Sequence, residues 1–168
     1  MAVNLTPVPL TRELFAPFGD VIEIDDADHY SINEGTTERY HDLAKIDVSA
    51  KDGVPLISIF RGQPRSIPIK IKMMERHPLG TQAFMPLQPH PYLVAVAALS
   101  DTVGPADVKA FIAASGQGVS YRRGVWHHPL LVLEPDHDFL VIDRGGAGDN
   151  LSEYSFSDEE GVVLLNPR

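Results

Sequence analysis

Two short stretches of the chain hold the residues whose types and spacing could do chemistry. Residues 75–86 (ERHPLGTQAFMP) place an acid and a histidine two positions apart, with a glutamine further on. Residues 116–130 (GQGVSYRRGVWHHPL) place two adjacent histidines shortly after a glycine. Because the chain contains no cysteine, any catalysis must use histidine, carboxylate, hydroxyl, arginine, lysine or a metal. The two stretches therefore contain the candidate catalytic and metal-binding residues.

The first stretch predicts a polar face on an extended strand. In such a strand Glu75 and His77 point to one side and Arg76 to the other, and a turn at residues 78–81 can return Gln82 beside them. Buried without partners, each neutral group would cost roughly 1–3 kcal/mol, and the carboxylate would cost more. A bound metal would satisfy these groups. The alternative is that Glu75 pairs with an arginine and His77 is an ordinary hydrogen-bonded histidine.

The second stretch offers one further catalytic residue and metal ligand. His127 follows Gly124 by three residues, and in a regular strand the adjacent His128 must point the opposite way. The three-residue spacing from Gly124 favours His127 as the histidine that faces the same cavity as Glu75 and His77. His128 is expected behind the ligands or at the rim, or else as a hydrogen-bonded core histidine. Tyr121, beside the turn, could donate a hydrogen bond to a leaving group, or simply pack.

A substrate carboxylate would need a cation, and arginine suits it because a guanidinium group can form two parallel hydrogen bonds. Arg61 is the first choice, since it ends the apolar run 56–60, where an inward-facing charge needs an anion. A salt bridge from Arg61 to Glu75 or Asp143 is the alternative. Asp143 and its neighbour Arg144 are expected to pair with each other at the end of a strand.

The elements that position these residues are predicted to be short β-strands. Thr11 is a plausible N-cap for a short helix that carries Leu14, Phe15 and Phe18 on one side and covers an end of the core. After it, β-rich segments alternate with clusters of glycine, proline and aspartate, which indicates a sandwich or barrel. The predicted strands are residues 21–24, 56–61, 66–75, 83–87, 93–98, 108–114, 119–121, 130–133, 139–143 and 162–165.

Composition disfavours several classes of protein. A chain of 168 residues with no linker fits one domain, 1–168, that has a real core. A net charge of −9 without a basic run gives no electrostatic reason to bind nucleic acid or an anionic membrane. The longest purely apolar run, residues 93–99, is far shorter than the ~20 residues needed to span a bilayer. The N-terminal sequence has no signal peptide pattern, so we expect a cytoplasmic protein with a small-molecule substrate.

The same two stretches resemble known motifs. Gly116-x5-Arg122-x-Gly124-x2-His127 resembles the second cupin motif, with arginine where proline usually stands, and residues 75–82 resemble the first, with glutamate and glutamine at two of its positions. A narrower resemblance extends from Leu14 to about Gly146, and it is to bacterial ureidoglycolate lyase, formerly called ureidoglycolate hydrolase. It is carried by ERYHDLA (residues 38–44), ERHPLGTQAF (75–84), GQGV (116–119), VWHHPL (125–130) and IDRGG (142–146).

The resemblance implies an all-β, cupin-type double-stranded β-helix (jelly-roll) barrel with a short N-terminal helix, a homodimer and nickel as cofactor. It implies cleavage of (S)-ureidoglycolate to glyoxylate and urea, late in allantoin breakdown. It also places Arg39 at the cavity mouth or at a dimer interface, as a candidate for substrate binding. The candidate metal ligands are Glu75, His77, His127 and Gln82, and Gln82 is also a candidate for substrate binding.

Other interpretations stay open at this point. Nitrogen and oxygen ligands without thiolate also suit zinc, manganese or iron. In a metal-free version Glu75 or His77 is the base, and an arginine supplies the cation. Different functions are a ureidoglycolate amidohydrolase that releases ammonia, another cupin enzyme acting on a small acid or sugar, and a non-catalytic cupin that senses a ligand.

Overall fold

The regular structure is nearly all β-strand in the computed structural model, which describes residues 2–157 and 159–166. Its helical elements are α1 (Arg12–Phe15) and three single 3₁₀ turns, Asn33–Gly35, Ala50–Asp52 and Pro105–Asp107. In this part of the chain the strands are β1 (Val3–Leu5), β2 (Val8–Pro9), β3 (Gly19–Ile22), β4 (His29–Ile32), β5 (Thr37–Tyr40), β6 (Val54–Gly62), β7 (Ile69–Ile71), β8 (Met73–Arg76), β9 (Gln82–Pro86), β10 (Tyr92–Ala97), β11 (Lys109–Ala113), β12 (Gly118–Tyr121), β13 (Trp126–His127), β14 (Leu131–Val132), β15 (His137–Gly145), β16 (Ser152–Ser155) and β17 (Val162–Leu164).

Two larger sheets face each other. One has the order β16-β8-β13-β10-β11-β2, with β14 also paired to β10, and the other has the order β3-β12-β9-β15-β6. A three-stranded sheet, β1-β17-β7, packs on the outer side of the first, and β4 and β5 form a separate hairpin. This arrangement confirms the predicted all-β, cupin-type jelly-roll.

The apolar run in β10 shows why the sequence builds two layers of core. Val94 and Val96 lie in the core between the two larger sheets, and Leu93 and Ala95 lie in the second core against the three-stranded sheet. A strand that is buried on both faces needs apolar residues at every position, so the run does not alternate.

The predicted N-terminal helix is present but is a single turn. Thr11 caps it, its hydroxyl oxygen accepting a hydrogen bond from the backbone N–H of Leu14 at 3.2 Å. Phe15 and Phe18 are buried against each other and against Phe111, so the turn covers one end of the core. Leu14 is exposed instead of buried, because after one turn the chain leaves the helix before a full apolar face forms.

Most predicted strands are present with ends shifted by no more than two residues, but residues 66–75 do not form one strand. They divide into β7 and β8, which belong to different sheets. In the sequence, Ile67, Ile69, Ile71 and Met73 are apolar at alternate positions, as in a single strand. The buried positions change phase between β7 and β8: Ile69 and Ile71 are buried, and then Met74 is buried while Met73 is not. Alternation in sequence cannot reveal such a break when both strands are apolar. The strands β1, β2, β4, β5, β13 and β16 are not among the predicted ranges, although a strand at His127 was assumed when its direction was predicted.

The five-stranded sheet ends in two different edges. At one edge, the alternate residues Gly19 and Val21 of β3 are buried. At the other edge, none of the nine residues of β6 is buried, and its apolar side chains are exposed.

Among the described residues, no helix is long and apolar enough to cross a membrane.

Candidate functional site

A cavity of about 410 Å³ opens between the two larger sheets at the end of the barrel that holds both motif stretches. Its size is within the range of pockets that bind small molecules. One wall comes from the barrel interior and the other from β6 and the loop that follows it. The lining includes Phe60, Arg61, Gly62, Gln63, Arg65, Glu75, Gln82, Phe84, Tyr121, His127, His128 and Leu130.

Strand pairing brings the two motif stretches together. Glu75 in β8 lies directly opposite His127 in β13 in the antiparallel register. Gly124, at a φ of +75° that favours glycine, turns the chain just before β13, and its N–H donates to the carbonyl oxygen of His77 at 2.9 Å. The predicted proximity of these residues is therefore confirmed.

Glu75, His77 and His127 form a compact cluster of possible metal ligands. Their ligand atoms all lie within 4.8 Å of one another. Oε1 of Glu75 is 3.5 Å from Nε2 of His127 and 3.9 Å from Nε2 of His77. Arg76 points away, as predicted, and its guanidinium group lies 4.6 Å from the ring centroid of Trp126 on the opposite face.

Backbone carbonyls orient both imidazoles. Nδ1 of His77 lies 2.8 Å from the carbonyl oxygen of Asn150, and Nδ1 of His127 lies 3.1 Å from that of Val125. Because a carbonyl can only accept, each ring places its proton on Nδ1, which leaves Nε2 as a lone pair. Both Nε2 atoms are buried without a hydrogen-bond partner among the described residues. Two lone pairs and a carboxylate that face one another fit a divalent cation.

The local electrostatics keep the cluster in the form that binds a cation. Burial lowers the pKa of His127, although its contact with Glu75 acts in the other direction, so the ring is neutral. Burial is the largest influence on Glu75 and opposes its ionisation, but its contact with His127, together with the neighbouring imidazoles, outweighs this, so the pKa of Glu75 is lowered. Burial, together with the charge of Glu75, raises the pKa of Tyr121.

Gln82 and Tyr121 complete the inner wall. Nε2 of Gln82 donates to Oδ2 of Asp143 at 3.2 Å, while its buried Oε1 has no hydrogen-bond partner within the described part of the chain. The ring of Tyr121 stacks on that of His127, with 4.2 Å between centroids and 6° between planes. Both side chains therefore lie where a bound molecule would meet them.

His128 matches the alternative of a buried, hydrogen-bonded histidine, but it does not point away from the cavity. It is buried and lines the same cavity as His127, with Nδ1 2.7 Å from the carbonyl oxygen of Pro129. Strand alternation does not apply to it because β13 ends at His127. Burial is the main reason that the pKa of His128 is lowered to about 4, with the charge of Arg65 contributing.

Arg61 lines the cavity, but the expectation that it carries a buried charge is wrong. Its side chain is 62% exposed, and Nε and Nη2 donate to the two carboxylate oxygens of Asp138 at 2.8 and 2.9 Å. The partner is therefore neither Glu75 nor Asp143. Arg65, which sequence reasoning did not consider, is the second arginine of the lining. Its place four residues after Arg61, in the loop leaving the same strand, could have suggested it.

Other candidates lie away from the cavity. Arg39 is on the exposed β4–β5 hairpin, where its guanidinium group is 5.8 Å from the ring centroid of Tyr30, and it does not line the cavity. Arg144 does not pair with Asp143, since it is buried and donates to the carbonyl oxygens of Ala50 and Ala147. Adjacent residues on a strand point to opposite faces, which separates the two charges.

A jelly-roll barrel that holds two oriented imidazoles and a carboxylate beside a small cavity defines a cupin-type protein with a small-molecule site. The chain also matches the family described as "Ureidoglycolate lyase" over residues 2–163. It therefore belongs to the ureidoglycolate lyase family.

Several similar relatives carry the same name, "Ureidoglycolate lyase". One from Stutzerimonas stutzeri (strain A1501) is 51% identical over 165 residues, which is 98% of this chain and 96% of the relative. One from Brucella melitensis biotype 2 (strain ATCC 23457) is 58% identical over 155 residues, or 92% and 91% of the two chains. One from Pseudomonas fluorescens (strain Pf0-1) is 49% identical over 161 residues, 96% of each chain. The similarity thus covers the barrel and the whole cavity.

Proposed function

We propose that this protein is a ureidoglycolate lyase, which cleaves (S)-ureidoglycolate to glyoxylate and urea in allantoin breakdown. The observation that carries the proposal is the cluster of Glu75, His77 and His127, whose ligand atoms lie within 4.8 Å of one another and whose Glu75 and His127 line the cavity. The substrate is a carbinolamine with a carboxylate. It needs a base for the hydroxyl proton, a hydrogen-bond donor for departing urea and a cation for the carboxylate.

The cluster would hold a divalent metal, with Gln82 as a possible fourth ligand through its unpartnered Oε1. When bound, the metal would act as a Lewis acid that lowers the pKa of a hydroxyl group. The ligand set of nitrogen and oxygen atoms supports nickel, and it suits zinc or manganese as well. Nickel is proposed on the family resemblance.

The chain's own residues supply the remaining roles. In the metal-free version, Glu75 or His77 is proposed to accept the hydroxyl proton as the C–O bond becomes C=O, and to return that proton to the urea nitrogen as the C–N bond breaks. Tyr121 and Gln82, which line the inner wall, are proposed to donate to the urea group. Arg61 is proposed to bind the carboxylate, since Asp138 holds its guanidinium group in one orientation while Nη1 stays available.

The test is turnover of (S)-ureidoglycolate by protein stripped of metal and then refilled with nickel, zinc or manganese. We expect urea and glyoxylate in equal amounts, loss of activity on stripping and recovery on refilling. Release of ammonia with carbon dioxide would identify an amidohydrolase, and tight binding without turnover would identify a sensor. Full activity after verified removal of the metal would contradict the proposed metal requirement, but it would not contradict the proposed lyase reaction.

We also propose that residues 1–168 form one domain and that the protein acts as a homodimer in the cytoplasm. The family resemblance supports the homodimer. The net charge of −9 supports the expectation that neither nucleic acid nor an anionic membrane is a partner.

A further inference from the structure

Strand β6 is a long sheet edge with exposed apolar side chains. It pairs with β15 on one side, and no other strand of the described residues covers its second side. Ile57 is 73% exposed and Ile59 55% exposed on the outer face, and Leu56 and Phe60 are exposed on the cavity face. An edge of this kind is a template for pairing with another chain.

The usual protection of an edge strand is weak here. Sheet edges in monomers are commonly blunted by charged side chains, bulges or short length. The single charged residue in β6, Arg61, is neutralised by Asp138 of the same chain. Pro55 is the remaining protective residue, and it lies at one end of the strand.

Pro55 also indicates which backbone groups face outward. It has no N–H, yet it lies within the β6–β15 ladder opposite Arg144. A proline is tolerated in such a ladder where its nitrogen faces the free edge. Along a strand, residues two positions apart direct their backbone N–H and C=O groups to the same side. The backbone N–H and C=O groups of Ile57 and Ile59 therefore point to the same free edge as the nitrogen of Pro55. Both can therefore bond a neighbouring strand.

We propose that β6 pairs with β6 of a second copy of this chain, antiparallel about a two-fold axis at Ser58. The two five-stranded sheets then become one sheet of ten strands. Ile57 lies opposite the partner's Ile59 as a hydrogen-bonded pair, and Leu56 lies opposite the partner's Phe60. This inference specifies the interface of the proposed homodimer and does not depend on the reaction.

A second copy fits this surface because the strand is complementary to itself. Every apolar residue near the axis meets another apolar residue, as an isologous two-fold contact requires. Each chain carries a net charge of −9, so two copies can approach only through a surface without like charge. A stable dimer buries roughly 800 Å² on each partner. A nine-residue strand is about 30 Å long. The contact would reach about 800 Å² on each partner if it covered a band about 13 Å wide on each of the two faces of the sheet.

The contact has a consequence for the cavity. Phe60, Arg61 and Gly62 line its outer wall. In the proposed register the partner's Leu56 lies beside Phe60, and the partner's Val54 lies beside Gly62. Each cavity is therefore completed on its open side by the second copy.

The first test measures molar mass by light scattering after size-exclusion chromatography. We expect the wild type at about twice the chain mass of 18.4 kDa. Ile57→Asp should yield monomers, with a dissociation constant at least ~100-fold higher, because each dimer would bury two unpaired carboxylates. The matched control is Ile24→Asp, at a residue 57% exposed near the opposite edge of the sheet, which should stay dimeric.

The second test is a crosslink that does not depend on destabilising the strand. The chain has no cysteine, so Ser58→Cys introduces a single thiol on the proposed axis. Facing residues of a non-hydrogen-bonded antiparallel pair are close enough for a disulfide. Mild oxidation should give a covalent dimer for Ser58→Cys and none for Ile24→Cys. Circular dichroism and thermal unfolding verify that each variant is folded.

Neither measurement uses a substrate, so the interface and the reaction can fail separately. A monomeric wild type at micromolar concentration would overturn the inference, even if it cleaves ureidoglycolate. A dimer that persists in folded Ile57→Asp, with no crosslink in Ser58→Cys, would also overturn it and place the interface elsewhere. A dimeric, crosslinkable protein without turnover would support the interface and contradict the lyase.

Discussion

The two walls of the cavity are built in different ways. On the inner wall, Glu75 and His127 lie on adjacent strands, and two backbone carbonyls fix the orientation of the imidazoles. On the outer wall, Phe60 and Arg61 lie on an exposed sheet edge.

This difference indicates that the inner wall serves the reaction and the outer wall serves substrate binding. Groups that must hold a metal or move a proton need positions within a fraction of an ångström, and strands inside a barrel provide this precision. The groups proposed to bind the substrate carboxylate lie at the opening of the cavity, where the proposed second copy would cover them. We therefore expect changes on the inner wall to lower kcat and changes on the outer wall to raise KM.

The largest effect is expected for the two histidines of the inner wall. His77→Ala or His127→Ala should lower kcat/KM by about 10²- to 10⁴-fold, because each variant removes a candidate metal ligand or proton acceptor. Metal content, measured by atomic emission, should fall with activity. The control His29→Ala removes an exposed histidine that contacts Glu38 on the hairpin, and its rate should stay close to wild type. Near-native rates in both inner-wall variants would contradict the assignment of the site.

Gln82 comes next. Gln82→Leu removes the hydrogen bond to Asp143 and the unpartnered Oε1 atom, and should lower kcat by about 10- to 100-fold, as is typical of groups that support a metal site. Steady-state kinetics with saturating metal provides the measurement. A change in KM without a change in kcat would indicate that Gln82 binds the substrate and does not support the metal site.

On the outer wall, Arg61→Gln should raise KM by about tenfold or more, with a smaller change in kcat, because a charged hydrogen bond to the carboxylate is lost. Glyoxylate should inhibit this variant more weakly, and urea should inhibit it as it does the wild type. Arg123→Gln is the matched control, since that arginine pairs with Asp47 and does not line the cavity. If KM rises in Arg65→Gln and not in Arg61→Gln, the carboxylate is bound by Arg65 instead.

The smallest effect is expected for Tyr121. Phenylalanine preserves the stacking on His127 and removes the hydroxyl group, so Tyr121→Phe should lower kcat by about two- to tenfold if the hydroxyl donates to urea. An unchanged kcat would mean that the ring acts through packing alone. In that case Tyr121→Leu, which loses the stacking, should still lower the rate.

Much of the inner wall could be predicted from local sequence. Strand alternation placed Glu75 and His77 on one side and Arg76 on the other, and the glycine offset selected His127. The prediction that His128 points away from the cavity was wrong, because β13 ends at His127 and strand alternation does not extend to the next residue. Strand alternation also failed for residues 66–75, where a change of phase separates β7 from β8.

The outer wall could not be predicted in the same way. The apolar run of β6 has the composition of a buried strand, and an inward-facing Arg61 followed from that assumption. Sequence does not show that the strand ends a sheet, nor that Asp138, on the neighbouring strand β15, takes up its guanidinium group.

By itself the sequence determined the all-β class and the short capped helix, which depend on periodicity, turn residues and capping residues along the chain. The resemblance of its local motifs indicated the family and the residue types of the candidate metal-binding cluster. Only the tertiary structure decided that Glu75 faces His127, that His128 shares their cavity and that β6 is an exposed edge. Each of these depends on which strands become neighbours and where they end, and that is settled by contacts between residues far apart in sequence.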